Sequence, residues 1–299
     1  MELRVLRYFL TVAREGTITK AADFLHITQP TLSRQLKDLE LELGKKLLIR
    51  SSHSVTLTEE GVILRKRAEE ILKMVDKLEN EFTAMEEMMS GDVYIGGGET
   101  EAMKLIAKVA KDVQSRYPNI RYHLYSGNEE DITERLDKGL LDFGILIQPA
   151  DLSKYNYLDV PAKDVWGVVM RKDSFLAKYE TINASQLLEL PLICSRQAVQ
   201  QTYSKNDFAA WFGEDFHKLT IVTTYNLAFN ASLMVEEGIG YAITLDKIVN
   251  TSDDRFLCFR PLQPRLESGL QLVWKKHQLF STAAEVFLKE IQKEFSRTV

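Results

Sequence analysis

Ten consecutive residues, Thr28 to Lys37, read "TQPTLSRQLK" and combine two kinds of side chain at helical spacing. Leu32 and Leu36 mark an inward stripe, while Gln29, Thr31, Ser33, Arg34 and Lys37 fall in the first turn or outside that stripe. The outward set matches the chemistry of nucleic-acid edges. An arginine forks onto the two acceptors of guanine and a glutamine amide pairs with adenine. Serine and threonine suit phosphates or the thymine methyl, and a lysine adds a point charge for the backbone. The free N–H groups at a helix start form an anion site of their own. A plain helical hairpin shows the same periodicity, so both readings stand at this level.

The elements that would position these groups follow from apolar spacing. Leu3, Leu6, Phe9, Leu10 and Ala13 predict a first helix, stopped by Gly16. Thr17 or Thr19 caps a second helix, whose Ala21, Ala22, Phe24 and Leu25 face inward. His26, Ile27 and Thr28 supply a three-residue turn of helix–turn–helix length. Thr28 is the expected cap of the third helix, Pro30 lies in its first turn, and Gly44 ends it. The run "KKLLIRSSHSVTLTEEG" then shows two short β-like segments around Ser51–Ser54.

Next comes an apolar seam. Leu64, Ala68, Ile71, Val75, Leu78, Phe82, Met85 and Met89 follow one another at alternating spacings of 4 and 3. That a/d pattern predicts a helix that pairs with a second copy of itself. A helix over 58–89 would be roughly 48 Å long at the α-helical rise. After Gly91 strands alternate with helices to the end of the chain, which predicts two α/β lobes with a mostly parallel sheet. In such folds ligands sit outside the carboxyl ends of strands, where loops meet helix starts. On the first lobe those loops hold Gly98, Glu99, Thr100 (an expected helix cap) and Asn128. On the second they hold Ser195, Arg196, Thr224, Tyr225 and Asn226. Helix N-termini there would seat a carboxylate or other small anion, with Arg196 as a clamp and Glu99 as a repelling charge. The plainer alternative is that these residues only cap helices.

The 299 residues carry a net charge of −5, unevenly distributed. Residues 1–66 hold 11 Lys and Arg against 8 Asp and Glu, while the rest hold 27 against 35. A basic head on an acidic body allows a polyanion partner at one end. Arg4, Arg7, Arg14 and Glu15 break the first apolar run and exclude a signal-peptide core, so no membrane partner and a cytoplasmic location are expected. Cys194 and Cys258 sit in apolar strand-like runs and read as buried thiols; a redox switch is the alternative. The five histidines lack metal-ligand spacing. "GGGET" lacks the spacing of a phosphate loop, and no nucleophile–base constellation stands out. No metal, cofactor or enzymatic activity is expected. The rival from another class is a solute-binding or enzymatic α/β protein with a helical appendage.

The segment "RYFLTVAREGTITKAADFLHITQPTLSRQLKDLELELGKKLLIRSSHSVTLTEEG" closely resembles the winged helix–turn–helix of LysR-type transcriptional regulators. Its matching features are Ala21–Ala22, "TQPTLSRQLKDLE", Leu43–Gly44 and Gly61, and the match continues through "GDVYIGG", "RYP", "GLLDFGI" and "VEEGIGYAI". The resemblance implies an α+β multidomain chain with an N-terminal winged helix–turn–helix, a long dimerising linker helix, and a C-terminal two-lobed effector domain resembling periplasmic binding proteins. The corresponding boundaries are 1–58 (helix–turn–helix 18–37), 59–90 and 91–299, with lobe I at 91–161 and 266–299 and lobe II at 162–265. Implied partners are operator DNA, an unidentified small-molecule effector between the lobes, further copies of the chain as a dimer or dimer of dimers, and RNA polymerase if the outcome is activation. Implied DNA-contacting residues are Thr28, Gln29, Pro30, Thr31, Ser33, Arg34 and Lys37 on the helix and Arg50 and His53 on the wing. The chain departs from the family at Leu48, where Phe is usual, at His53, where a basic residue is usual, and at Gly98, where a hydroxyl residue often precedes Glu99. The hydroxyl missing at Gly98 means that the ligand class is not inherited.

Overall fold

The computed structural model describes residues 1–51, 54–86, 90–199, 206–251 and 256–298, and they divide into two compact units, Met1–Phe82 and Thr83–Val299. In the first unit α1 (Leu3–Glu15) ends at Gly16, whose left-handed φ of 69° lets its N–H reach the Val12 carbonyl. The Thr17 hydroxyl accepts the Lys20 N–H and starts α2 (Ile18–Phe24). A turn through His26, itself left-handed at φ 53°, leads into α3 (Gln29–Leu43). Thr28 occupies the cap position of α3 without capping it. Its hydroxyl lies 2.8 Å from that of Thr31 instead.

Val5, Phe9, Val12, Ala21, Ala22, Leu32, Leu36 and Leu39 from these helices form one core with Leu47, Leu48 and Val55. The last two belong to β1 (Leu48–Arg50) and β2 (Val55–Leu57), an antiparallel pair closed by the Ser51 N–H bond to the Ser54 carbonyl. Leu48 is 6% exposed, so the smaller apolar residue fills its place in the core.

Two close approaches fix the wing on the helices. Glu40 of α3 is buried, and its Oε1 accepts the backbone N–H groups of Leu47 at 2.9 Å and Leu48 at 3.2 Å. Burial works to raise its pKa, but those two bonds and the charges of Lys46 and Arg50 outweigh it and hold the carboxyl below its ordinary range. At the other end of the wing Thr58 donates to the Lys46 carbonyl and accepts the Gly61 N–H, opening α4 (Glu59–Glu86). A Cβ on Gly61 would stand 2.2 Å from the Leu47 carbonyl oxygen, so only glycine permits this approach.

At 28 residues α4 is about 42 Å long. Its seam is not uniform. Leu64 packs on the head core and Ala68 is fully buried, whereas Ile71 and Leu78 are 38% and 52% exposed. The first two seam positions are therefore covered within the chain's own N-terminal unit, and the face left open begins near Ile71. The side chains of Phe82 and Met85, and Met89 altogether, lie outside the described residues.

The second unit is built from β3 (Gly91–Gly97), α5 (Met103–Arg116), β4 (Ile120–Ser126), α6 (Glu129–Asp137), β5 (Phe143–Ile147), β6 (Tyr155–Arg171), β7 (Leu192–Ser195), α7 (Arg196–Val199), α8 (Asp207–Phe212), β8 (Ile221–Tyr225), α9 (Ala228–Glu236), β9 (Tyr241–Leu245), β10 (Leu257–Pro261), β11 (Glu267–Lys275) and α10 (Thr282–Thr298). The parallel trio β4-β3-β5 forms one lobe and β8-β7-β9 repeats it in the other. A core of Ile95, Phe143 and Phe287 lies under α5 and α10, and Ile132 and Leu136 of α6 cover the opposite face. In the second lobe Phe208, Phe212 and Ile243 pack on one side, and Ala231 and Val235 of α9 on the other.

The expectation of a mostly parallel sheet fails at the centre. β6 and β11 pair antiparallel with each other, β11 joins β5, and β6 joins β9 and β10, all antiparallel. The chain passes from lobe to lobe along β6 and returns along β11, so these strands must run in opposite directions. The expected lobe boundary at 161/162 falls inside β6, at a bulge. The register there jumps from Val160↔Leu270 to Lys163↔Gly269 and leaves Pro161 and Ala162 outside the ladder.

Two stability measurements check these contacts. Glu40→Gln should destabilise the chain by about 1–3 kcal/mol in urea unfolding at neutral pH. Because the folded pKa of Glu40 is lowered, its stabilisation is complete above the usual carboxylate range and disappears as pH falls through the folded value, so the gap between wild type and variant should close in acid. Gly61→Ala should cost about 1–3 kcal/mol, because the Leu47 carbonyl it would meet is backbone.

Candidate functional site

The head presents its expected polar set unevenly. Thr28, Gln29, Pro30, Thr31, Arg34 and Lys37 are exposed along the first half of α3, while Leu32 and Leu36 hold the opposite side in the core. The Arg34 side chain is 84% exposed, with only a long 3.9 Å approach to Asp38. An exposed ion pair of that kind is worth little, so the guanidinium is free to exchange it for a nucleic-acid partner.

Arg50 is placed differently. Its side chain is 27% exposed, its Nη1 donates to the Ser33 hydroxyl at 3.1 Å, and its Nη2 lies 3.6 Å from the Glu40 carboxylate. Arg50 and Ser33 are thus partners of each other, tying β1 to α3 above the buried Glu40. Arg50 is not the open basic contributor expected of the wing. Ser33, half-buried, offers less of its hydroxyl than its outward position suggested. His53 lies outside the described residues.

The second unit holds a cleft of about 900 Å³, open mouth included, at the carboxyl ends of both parallel trios. Gly98, Glu99 and Asn128 line it from the first lobe, and Ser195, Tyr225 and Asn226 from the second. Three further candidates do not reach it. Thr224 is exposed because strand alternation turns it to the face opposite Tyr225. Arg196 is exposed at the start of α7, and the next residue, Gln197, enters the cleft in its place. Thr100 does not cap α5, which starts after Ala102. Its hydroxyl donates to Asp164 at 2.5 Å and accepts the Ala102 N–H. Burial raises the pKa of that Asp164, against the lowering effect of the Thr100 bond.

The helix starts facing the cleft are already occupied by the chain's own groups. Asn128 accepts the Asp131 N–H while Asp131 accepts the Asn128 N–H, a closed capping box at α6. At α9 the Ala228 N–H is taken by Glu99 Oε2 at 2.5 Å, a bond that runs from one lobe to the other. A second crossing bond joins Gln197 Nε2 to Glu129 Oε2 at 2.8 Å. At each of these two starts one backbone donor is met by a carboxylate of this chain, Asp131 at α6 and Glu99 at α9. Tyr225 turns its hydroxyl to the Ile243 carbonyl, and burial pushes its pKa well up, so it remains a neutral donor.

Other lining residues carried no sequence signal of their own. Trp166 reaches the cleft from β6 and donates to Ser268 of β11 at 2.8 Å, which ties the two crossing strands together under the floor. Phe208, Thr244 and Ile248 add to the walls. Gln148 and Glu129 also line it, and neither spacing nor composition pointed at them.

Cys194 and Cys258 lie in the same apolar core of the second lobe. Burial pushes the Cys194 thiol up to about 12 and raises Cys258 as well. Both shifts disfavour the thiolate that reaction with an oxidant requires. Among the described residues no group of three or more His, Cys, Asp or Glu gathers as a metal site, and no helix is long and apolar enough to cross a membrane.

Residues 3–62 match the bacterial regulatory helix-turn-helix protein family of lysR type, and residues 86–296 match the LysR substrate binding domain. The chain is 28% identical to the uncharacterized HTH-type transcriptional regulator YvbU of Bacillus subtilis (strain 168), over 98% of each chain. It is 29% identical to the Hca operon transcriptional activator HcaR of Escherichia coli (strain K12), over 99% of each. Among solved structures, full-length CbnR complexed with its target DNA superposes with a TM-score of 0.76 at 18% identity, covering 100% of both chains. The exposed face of α3 and the inter-lobe cleft thus fall in two matched domains, and the chain belongs to the LysR family: it is a DNA-binding transcriptional regulator with a helix-turn-helix head and a substrate-binding domain.

Proposed function

We propose that this regulator reads its operator through the exposed half of α3 and answers to a small molecule bound in the inter-lobe cleft. The observation that carries the reading is the pair of crossing bonds, Glu99 to Ala228 and Gln197 to Glu129, which span a cleft lined by both lobes. A ligand with different affinity for the open and closed lobes would shift their populations. Coupling of that shift to operator affinity is reciprocal, so DNA would change ligand affinity by the same factor.

Gln29 and Arg34 are the base-reading residues in this account. Thr28, Pro30, Thr31 and Lys37 contact the DNA backbone or thymine methyls, and Ser33 and Arg50 position the wing against α3. The exposed part of the α4 seam supports self-association. Ile71 and Leu78 present apolar surface where the heptad pattern demands a partner, and the repeat continues toward Phe82, Met85 and Met89. We take the assembly to be a dimer or a dimer of dimers, with two recognition helices on half-sites spaced by turns of B-DNA. RNA polymerase would be a further partner if the regulator activates.

Three measurements test this. In mobility-shift titrations over the chain's own promoter region, Arg34→Ala should cost about 1–3 kcal/mol on the specific site and relax its sequence preference. Lys37→Ala should weaken binding to all sequences and lower the salt slope by about 1. No sequence-specific shift at any low-salt condition, on that promoter or its neighbours, would count against operator binding. Leu78→Glu should reduce the mass measured by light scattering to a smaller assembly, since a charge in an a/d seam faces an apolar partner. In a thermal-shift screen of metabolites, hits at 100-fold excess over Kd should add about 2.7 kcal/mol of stability. Ala198→Phe, at the cleft wall, should abolish them.

A further inference from the structure

The helix starts at the cleft are capped in different ways. Asn128 caps α6 and Asn206 caps α8, each from the position just before its helix, so both are served within their own lobe. At α9 the cap position is Leu227, which has no side-chain oxygen, and the Asn226 amide oxygen is bonded to the Leu227 N–H. The first N–H of the helix, that of Ala228, is met from the other lobe by Glu99, 129 positions away in the sequence.

Glu99 is itself held in place. The Gly97 carbonyl accepts the Gly127 N–H at 3.1 Å, and a Cβ on Gly98 would stand 3.2 Å from Ile147, so the loop lies close on β5. On the other side of Glu99 the Thr100 hydroxyl donates to Asp164 of β6, just past the bulge at Pro161 and Ala162. Thr100 therefore pins the loop to a strand that joins the lobes, and Glu99 reaches across the cleft from that pin. The other crossing bond, Gln197 to Glu129, joins two side chains and can follow a lobe movement by rotating both. Glu99 grips backbone, which moves only with α9 itself.

We propose that Glu99 is a clasp that holds the unliganded cleft closed, so that effector binding must release it. The proposal rests on the reading of the cleft as the effector site and adds what keeps that site shut. A carboxylate on a helix start gains both a charge-assisted bond and the partial positive charge of the helix end. An asparagine at position 227, like those at 128 and 206, would cap α9 within its own lobe and leave the lobes without this tie. With the clasp made, a ligand that fits the open lobes binds with an affinity reduced by the fraction open.

The test compares a clasp with an ordinary cap in the full-length chain. Nitroxide labels at Glu130→Cys and Glu214→Cys, both exposed and on opposite lobes, report the distance between them by pulsed electron resonance. Cys194 and Cys258 are buried and stay in place, and labelled chain is diluted with unlabelled chain. Glu99→Ala should raise the open-to-closed ratio about tenfold or more, the effect of losing one charge-assisted bond. The open population should lie more than about 2 Å beyond the closed one. Adding Leu227→Asp to Glu99→Ala gives α9 a cap of its own. It should restore the melting temperature while the lobes stay open. Leu227→Asp alone sets two carboxylates at one helix start and should also open the lobes, with Glu99 intact. An unchanged distance distribution on loss of Glu99, or return of the closed distribution in the double variant, would overturn the clasp. Should Glu99→Ala fold poorly, an unchanged distribution in Leu227→Asp overturns it. In mobility shifts without any added effector, Glu99→Ala should change operator affinity at least about fivefold. Opened lobes with unaltered operator affinity would leave the clasp standing and sink the reading of the cleft as the switch.

Discussion

The antiparallel ladder between β6 and β11 sets the terms for the whole C-terminal unit. These two strands belong to both lobes, so each lobe is a parallel trio hung on a shared pair. The bulge at Pro161 and Ala162 and the Trp166–Ser268 hydrogen bond sit where the pair passes from one trio to the other. Everything that faces the cleft is positioned from this axis: Glu99 and Glu129 from one side, Ser195, Gln197 and Tyr225 from the other. A two-strand connection resists separation of the lobes but tolerates bending at an irregular register, which is the mechanical property that ligand-dependent closure needs.

A second theme recurs in both units. Backbone donors that no helix or strand satisfies are met by carboxylates from distant positions in the sequence. Glu40 takes the N–H groups of Leu47 and Leu48, Asp142 takes that of Tyr94, and Glu99 takes that of Ala228. An unsatisfied buried N–H is costly, and a charge-assisted bond is stronger than a neutral one, so each carboxylate fixes a junction. In the head the junction locks the wing and carries Arg50 with it. In the cleft the same chemistry joins one lobe to the other.

Much of this was legible in the residue order. Gly16 and Gly44 stop helices because their backbones turn left-handed there, and that requirement is local. Leu32 and Leu36 recur at the period of a helix, so the exposed side carrying Gln29 and Arg34 follows. The strand–helix alternation after Gly91 was readable for the same reason, since each element's period is set by its own backbone. Less was readable where a residue's role depends on what lies across from it. Thr28 and Thr100 sit where caps belong, but each found another partner nearby. Thr224 and Arg196 missed the cleft by one residue, because a shift of one position in a strand or a helix turn changes the face presented.

The sequence by itself determined the order of the parts: a helix–turn–helix with a polar outer face, a heptad arm, and two α/β lobes. These rest on periodicity, caps and glycine positions, which act over a few residues. Tertiary structure alone decided that Arg50 serves the wing and not an open surface, that Leu64 and Ala68 are covered by the head, and that the start of α9 gives a backbone donor to Glu99 of the other lobe. Those outcomes depend on pairs separated by tens to more than a hundred residues, such as Glu99 with Ala228 and Trp166 with Ser268. No local pattern records such pairs, because the energy that selects them comes from burying and satisfying both partners together.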